Sequence, residues 1–454
     1  MSKLTKSPID EIRDLIPDYQ DLKIKEFEDQ IDDLIQFDNL DIEIATELTK
    51  WFVKSRVIEC YKGKRKPEEN ILEFIEILEM NSIQSKYNIM THRGEIIADK
   101  WKSQTVIGQA EEEKIYRVEE VVKQYGWNIK TVPKYLKLSA TPYHPVYDWI
   151  ASKEWDGKDR FEDVFTSIDC LNDNVKLAKI YFWKWSIAGC RAILTQDGFV
   201  SENILVFKAK QGAGKTRWLT SLAPKGFIKS GLNLNPSNKD SVMEATAIWI
   251  CELGELDTTT RKADAGALKA FFSKSEDNFR RPYGIAEEII PRKTIFCASV
   301  NNDSFLVDDT GNRRYWILEI GETNNKHGID MQQYWAQVMA TAVQDEELYP
   351  HWLDKEESEL QDNESEKFRQ LDPLCETLIE KIDMLYEEEY TATKILQEIH
   401  EIPNPKPHEC KVIVQFLSTK KGWGKRPKGK GIHVLVNPNY KLGNKGYEED
   451  KFFQ

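Results

Sequence analysis

Ile204-Leu205-Val206-Phe207, then Ala209-Lys210-Gln211-Gly212-Ala213-Gly214-Lys215-Thr216, then a helical pattern with Trp218, Leu219 and Leu222: this run decides the fold. The first four residues are apolar and β-branched-rich, as a strand buried on both faces requires. The loop has the strand-to-helix setting of a phosphate-binding P-loop. Its glycines let successive amide N–H groups turn toward phosphate oxygens, and the helix start adds partial positive charge. Lys215 is then placed for the β- and γ-phosphates, and the Thr216 hydroxyl for Mg²⁺. Where the usual pattern begins with glycine this chain has Ala209, which keeps the position small but narrows its backbone choice.

Two more strand patterns supply the remaining parts of a nucleotide pocket. Ala247-Ile248-Trp249-Ile250-Cys251 runs into Glu252, with Glu255 three positions on. Glu252 reads as the acid holding Mg²⁺ and Glu255 as the residue activating water, although the two roles are interchangeable at this level. Thr294-Ile295-Phe296-Cys297-Ala298-Ser299-Val300 ends at Asn301, an amide suited to orienting the attacking water. Asp309-Thr310-Gly311-Asn312-Arg313-Arg314 follows. A guanidinium forks onto phosphate oxygens, so Arg313 or Arg314 is expected to reach a neighbouring subunit's nucleotide.

Outside this core the chain is less specific. Residues 1–84 form an acidic helical segment in which Ile24, Phe27, Ile31, Leu34 and Ile35 recur at helical spacing. A helical and α+β region is expected over 85–200, the α/β core over 201–330, a helical lid over 331–385 and a basic domain over 386–454. Val118–Gly126 followed by Thr131–Leu136 has a helix-turn-helix outline, a pattern also common in plain helical domains. Tyr181-Phe182-Trp183-Lys184-Trp185 reads as core rather than as a base-stacking surface. Near the end, helix, helix and a Lys/Arg hairpin have the outline of a winged helix.

The 454 residues carry a net charge of −13, unevenly spread. Residues 1–47 hold fourteen Asp/Glu against five Lys/Arg, whereas residues 406–445 hold ten Lys/Arg against Glu409 alone. The basic end is a candidate DNA contact through Lys420, Lys421, Lys425, Arg426, Lys428 and Lys430. Cys60, Cys170, Cys190, Cys251, Cys297, Cys375 and Cys410 are scattered without ligand spacing, which argues against zinc and against a disulfide framework. With no long apolar run and no apolar leader, a cytoplasmic chain without a membrane partner is expected.

The motifs in order resemble the virulence-associated E family of P-loop ATPases. They are His144-Pro145-Val146, Trp155-Asp156-Gly157-Lys158-Asp159-Arg160, the P-loop, and Glu252-Leu253-Gly254-Glu255-Leu256. Lys269-Ala270-Phe271-Phe272, Arg280-Arg281-Pro282-Tyr283-Gly284, Asn301, Phe305-Leu306, Gly311-Asn312-Arg313-Arg314 and Trp335-Ala336 follow. The resemblance, over about 140–375, implies an AAA+-like P-loop core akin to superfamily 3 helicases of phages and mobile elements, in a bacterial host cytoplasm. It further implies a homo-oligomeric ring, hexameric by preference, that hydrolyses Mg·ATP between subunits and translocates on single-stranded or forked DNA. Primer synthesis would fall to a separate primase, since no primase module is legible here. Those relatives carry a DNA-contacting β-hairpin corresponding to Asn278–Arg292. Its tip, Ile285-Ala286-Glu287-Glu288, is acidic in this chain, so Arg280, Arg281, Arg292 and Lys293 are the expected contacts. The competing readings are an ATP-regulated origin-recognition protein that does not unwind, and an ATPase that interferes with host or rival phage functions.

Overall fold

The computed structural model describes the chain except residues 1–6, 38–39, 99–100, 102–109, 255–261, 280–287, 302–304, 307–311, 369–371, 428–432 and 439–454. Toward the amino end, helices Pro8–Leu15, Ile24–Phe37, Ile42–Tyr61 and Ile71–Met80 precede strands β1 (Gln84–Asn88) and β2 (Arg93–Ile97). Ile24, Phe27 and Ile31 face inward, as their spacing requires, and Phe27 stacks on Phe52 with ring centroids 4.0 Å apart. Strand β3 (Thr141–Tyr143) joins the other side of β1, giving the order β2-β1-β3.

One continuous apolar core runs from Ile12 to Leu136. The expected boundary at 84/85 therefore cuts through a single packed unit, because the helices on both sides of β1 and β2 share that core. The helix-turn-helix outline is also absorbed here. Helices Ala110–Lys123 and Val132–Ser139 bury Val118, Val122, Val132 and Leu136, and Ser85 Oγ donates to the Leu136 carbonyl at 2.8 Å.

Next comes a six-stranded sheet made of β4 (Ile168–Cys170), β5 (Ile204–Lys208), β6 (Ile228–Leu232), β7 (Ile250–Leu253), β10 (Ile295–Val300) and β11 (Tyr315–Thr323). Between β7 and β10 lies an antiparallel hairpin, β8 (Glu276–Phe279) with β9 (Glu288–Pro291). The sheet order is β4-β11-β5-β10-β7-β6; all neighbours are parallel except the edge pair β4/β11.

Alternate residues of the buried strands feed different layers. Leu205 and Phe207 meet helices Val175–Leu194 and Met331–Ala342 on one face, whereas Ile204 and Val206 meet helix Lys262–Phe272 on the other. That is why these strands read as unbroken apolar runs rather than as an alternation. Tyr181, Phe182 and Trp185 are core, as expected. Buried indoles need hydrogen-bond acceptors. Trp185 donates to Phe296 O at 2.9 Å, Trp249 to Gly189 O at 2.9 Å and Trp335 to Leu222 O at 2.7 Å, pinning helices to the sheet.

The Trp155–Arg160 motif is an exposed loop held from beneath by three glutamines of helix Met331–Ala342. Gln332 Nε2 donates to Ile150 O and Lys153 O, Gln333 Nε2 to Glu154 O, and Gln337 Nε2 to Asp159 Oδ1.

The last body has its own core. Helix Pro373–Glu380, β12 (Glu389–Tyr390), helices Ala392–His400 and Pro407–Lys420, then β13 (Gly424–Pro427) and β14 (His433–Val436) follow in order. These strands form an antiparallel sheet, β12-β14-β13, that leaves β13 exposed at its edge.

Two expected DNA contacts are structural instead. Arg292 is 2% exposed, and its guanidinium grips Asp277 by two bonds of 2.6 and 2.7 Å at the root of the β8/β9 hairpin. It also donates to Phe271 O and lies 4.1 Å over the Phe271 ring. Lys293 is buried and donates to Thr195 O. Both cations are committed inside the protein and offer little surface to solvent.

Removing one partner of a buried ion pair strands the other charge, at a cost of about 3–5 kcal/mol. Arg292→Ala is expected to lower the urea midpoint of tryptophan fluorescence accordingly, and Arg292→Met combined with Asp277→Leu to recover most of the loss.

Candidate functional site

Strand β5 ends at Lys208, and the loop from Ala209 carries the chain into helix Lys215–Ser221. Gly212 and Gly214 have φ of +89° and +85°, left-handed conformations that L side chains rarely adopt. Space matters at Gly214 too, because a Cβ there would lie 2.5 Å from Thr323 Oγ1. Thr323, at the end of β11, donates to Ala213 O at 2.9 Å and braces the loop. Ala209 is buried, and its N–H reaches Val300 O at 3.2 Å, so alanine fits where the pattern has glycine.

Strand β10 lies between the loop strand β5 and the acid strand β7. Glu252, on β7, is therefore two strands away from β5. The last residues of β10 fill the interval. Lys215 Nζ donates to Ala209 O at 2.7 Å, Val300 O at 3.2 Å and Asn301 Oδ1 at 2.7 Å. Ser299 Oγ donates to Glu252 Oε1, which also accepts from Thr216 Oγ1 at 3.3 Å. Lys215, Thr216, Glu252, Ser299 and Asn301 thus meet across three strands. Gln211, Gly212, Ala213, Gly214 and Arg217 join Lys215, Thr216, Ser299 and Asn301 in lining a cleft of about 460 Å³, with Glu252 buried behind it.

Glu252 is 1% exposed, and it lies within β7 rather than beyond its end. The strand starts later than its apolar pattern, because Ala247 caps helix Lys239–Thr246 and Trp249 turns into the helix layer. Burial pushes the Glu252 carboxyl upward, against the opposing pull of Ser299, Thr216, the Gly231 backbone and Lys215. Its second oxygen, Oε2, is buried with no hydrogen-bond partner among the described residues. A carboxyl oxygen without a geometric hydrogen bond, on a side chain that meets a threonine hydroxyl, offers hard oxygen donors that suit Mg²⁺. No cluster of three or more His, Cys, Asp or Glu that could hold a metal occurs among the described residues. A magnesium site here would thus need oxygens from its substrate, as that ion commonly does.

Other expected residues lie elsewhere or out of view. Glu255, Arg280, Arg281, Lys428 and Lys430 fall outside the described residues, as does the Lys420 side chain. Lys421, Lys425 and Arg426 are exposed, the last paired with Glu389. Arg313 and Arg314 form a 3-10 turn before β11, whose Tyr315 is in register with Ile204 at the start of β5. The loop leaves the opposite end of β5, five residues of about 3.3 Å each away. Neither arginine serves the loop of its own chain. Arg313 is exposed, while Arg314 Nη2 donates to Ser273 Oγ at 3.2 Å.

Residues 150–370 match the virulence-associated protein E-like domain. That domain spans both the loop and β10, so the whole cleft lies inside it. Two solved apo forms of the NrS-1 C-terminal region are also similar. One is 14% identical, covering 82% of this chain and 100% of that one with a TM-score of 0.43. The other is 13% identical, covering 81% and 100% with a TM-score of 0.41. No curated protein matches the sequence. Among the described residues, no helix is long and apolar enough to cross a membrane.

Ser299 and Thr323 were missed in the sequence. Ser299 had a usable signal, lying two residues before Asn301 and therefore on the same face of a strand. Thr323 had none, since its role depends on the register of β11 against the loop.

The raised Glu252 carboxyl gives a pH signature. The folded state holds this proton more tightly than the unfolded chain does, so stability falls as pH rises from the ordinary carboxylate range through the raised value. With a chelator present, Glu252→Gln is expected to melt at a higher temperature than wild type above that window. The two should converge below it, as thermal melts across pH would show.

Proposed function

We propose that the virulence-associated protein E-like domain binds and hydrolyses Mg·ATP and that the chain is an ATP-driven DNA helicase or replication initiator of a phage or other mobile element. The observation that carries this reading is the convergence of Lys215, Thr216 and Asn301 on one cleft, with the buried Glu252 bonded to Thr216 behind it. Amides of the Gly212–Gly214 loop and Lys215 hold the phosphates. An entering phosphate oxygen competes with Asn301 for Lys215, so occupancy of the loop is felt at the end of β10. Thr216 and Glu252 are the residues to hold Mg²⁺, which supplies charge neutralisation across the phosphates. Asn301 orients the attacking water, and Glu255 accepts its proton.

Arg313 and Arg314 stand at the far end of the sheet. That placement favours their service to another subunit, and with it a homo-oligomeric ring, hexameric by preference. The C-terminal sequence of helix, strand, two helices and hairpin has the order of a winged helix. Its edge strand presents Lys425 and Arg426, with Lys421 beside it. We assign DNA contact to this face together with Lys420, Lys428 and Lys430, with affinity that falls as salt rises. Arg280 and Arg281, at the β8/β9 hairpin, are the remaining candidates for contact within the ring.

In the full chain, Lys215→Ala is expected to abolish Mg²⁺-dependent ATP hydrolysis, and Arg313→Ala to lower it severely, by about 10³-fold or more. Mixing these two variants should restore part of the activity, because each supplies what the other lacks; if mixing restores none, the shared site is wrong. Displacement of a labelled strand from a forked duplex separates unwinding from ATP-regulated DNA binding without unwinding.

A further inference from the structure

A second cavity, of about 500 Å³, lies against the same end of the sheet, between β4 and the end of β11. Phe165, Asp169, Cys170, Val175, Lys179 and Asn324 are among its walls. It adjoins the phosphate loop through Thr323, which lines the cavity while bonding to Ala213 O at 2.9 Å. Helix Lys215–Ser221 is tied to the same wall, since Trp218 Nε1 donates to Ser167 Oγ at 2.6 Å. The Asn324 N–H in turn donates to Ser167 O at 2.8 Å, so the cavity wall and the loop form one braced unit.

Its walls are mixed, with Thr166, Ser167, Glu322 and Asn324 among the polar residues beside Asp169. Gly321, two residues before Thr323 and so within about 7 Å of it, has no side chain. A Cβ there would lie 2.3 Å from Asp169 Oδ2, so the carboxylate rests over bare backbone. Asp169 is exposed to the cavity. An ionised carboxylate only accepts hydrogen bonds and repels phosphate, so this position suits a neutral donor attached to a phosphate chain. The wall also has an apolar part, Phe165, Cys170 and Val175, and Val175 is 42% exposed. The Lys179 stem closes that side, its Nζ held 2.6 Å from Glu162 Oε2 and so already neutralised.

Resting on the nucleotide reading above, we propose that this cavity takes the nucleoside half of the substrate, with Asp169 accepting from the ribose hydroxyls and the apolar wall covering the base. The site is then selective for ribonucleotides over nucleotides without those hydroxyls. Gly321 is bare because any side chain would displace the reading carboxylate.

The test is equilibrium titration of the full chain with three probes in Mg²⁺: ATP, 2′,3′-dideoxy-ATP and inorganic tripolyphosphate. A hydrogen bond to a charged group corresponds to roughly tenfold in affinity or somewhat more. Wild type is expected to prefer ATP over the dideoxy analogue by that factor. Asp169→Ala should erase the preference, Asp169→Asn should keep part of it, and both should bind tripolyphosphate at least as tightly as wild type does. Equal binding of ATP and the dideoxy analogue by wild type overturns the assignment. So does an Asp169→Ala variant that loses tripolyphosphate as much as ATP. Lys215→Ala should weaken all three probes; if it weakens none, the phosphate-loop reading itself fails, separately from the ribose contact.

Discussion

The position of β10 between β5 and β7 is the constraint on which the rest depends. A buried parallel strand is fixed laterally by both neighbours and vertically by two helix layers, so the residues at its end have little freedom. Ser299 and Asn301 are therefore delivered into the gap between the Lys215 ammonium and the Glu252 carboxylate. Without that strand the cation and the buried acid would face each other directly and could collapse into an ion pair. With it, each is held by a neutral polar group, and Glu252 keeps one oxygen uncommitted among the described residues.

The tryptophans make this arrangement stiff. Trp185 bonds to the β10 backbone at Phe296, Trp249 fixes the entry to β7, and Trp335 holds the end of helix Lys215–Ser221 at Leu222. Each places an indole N–H on a main-chain oxygen inside an apolar layer, where water offers no competition. The site's geometry is thus referred to helices Val175–Leu194 and Met331–Ala342. Similarly, Arg292 fixes the root of the β8/β9 hairpin to helix Lys262–Phe272 through Asp277 and Phe271. A displacement at either element is passed to the other through a buried charge.

Much of the cleft was legible in the chain because its parts are local. A strand, a glycine loop and a helix are contiguous, and the apolar runs around Ile250 and Phe296 mark buried strands whichever order they take. Strand order was not legible, since periodicity says how a strand is buried and nothing of which strand lies beside it. For the same reason Thr323, brought to the loop at the end of β11, carried no signal. Arg292 and Lys293 misled because a basic residue near a hairpin looks the same in sequence whether it meets solvent or Asp277. The division at 84/85 failed because a change from helix to strand was read as a change of core.

The central claim is that the loop and the buried acid converge on a single metal–triphosphate complex. It is tested most directly by electron paramagnetic resonance of the full chain with Mn²⁺ in place of Mg²⁺ and a non-hydrolysable ATP analogue. The account predicts protein-bound Mn²⁺ with hyperfine coupling to the nucleotide phosphorus, altered in Glu252→Gln and lost in Lys215→Ala. Mn²⁺ that stays unbound, or a bound signal indifferent to both substitutions, would contradict it.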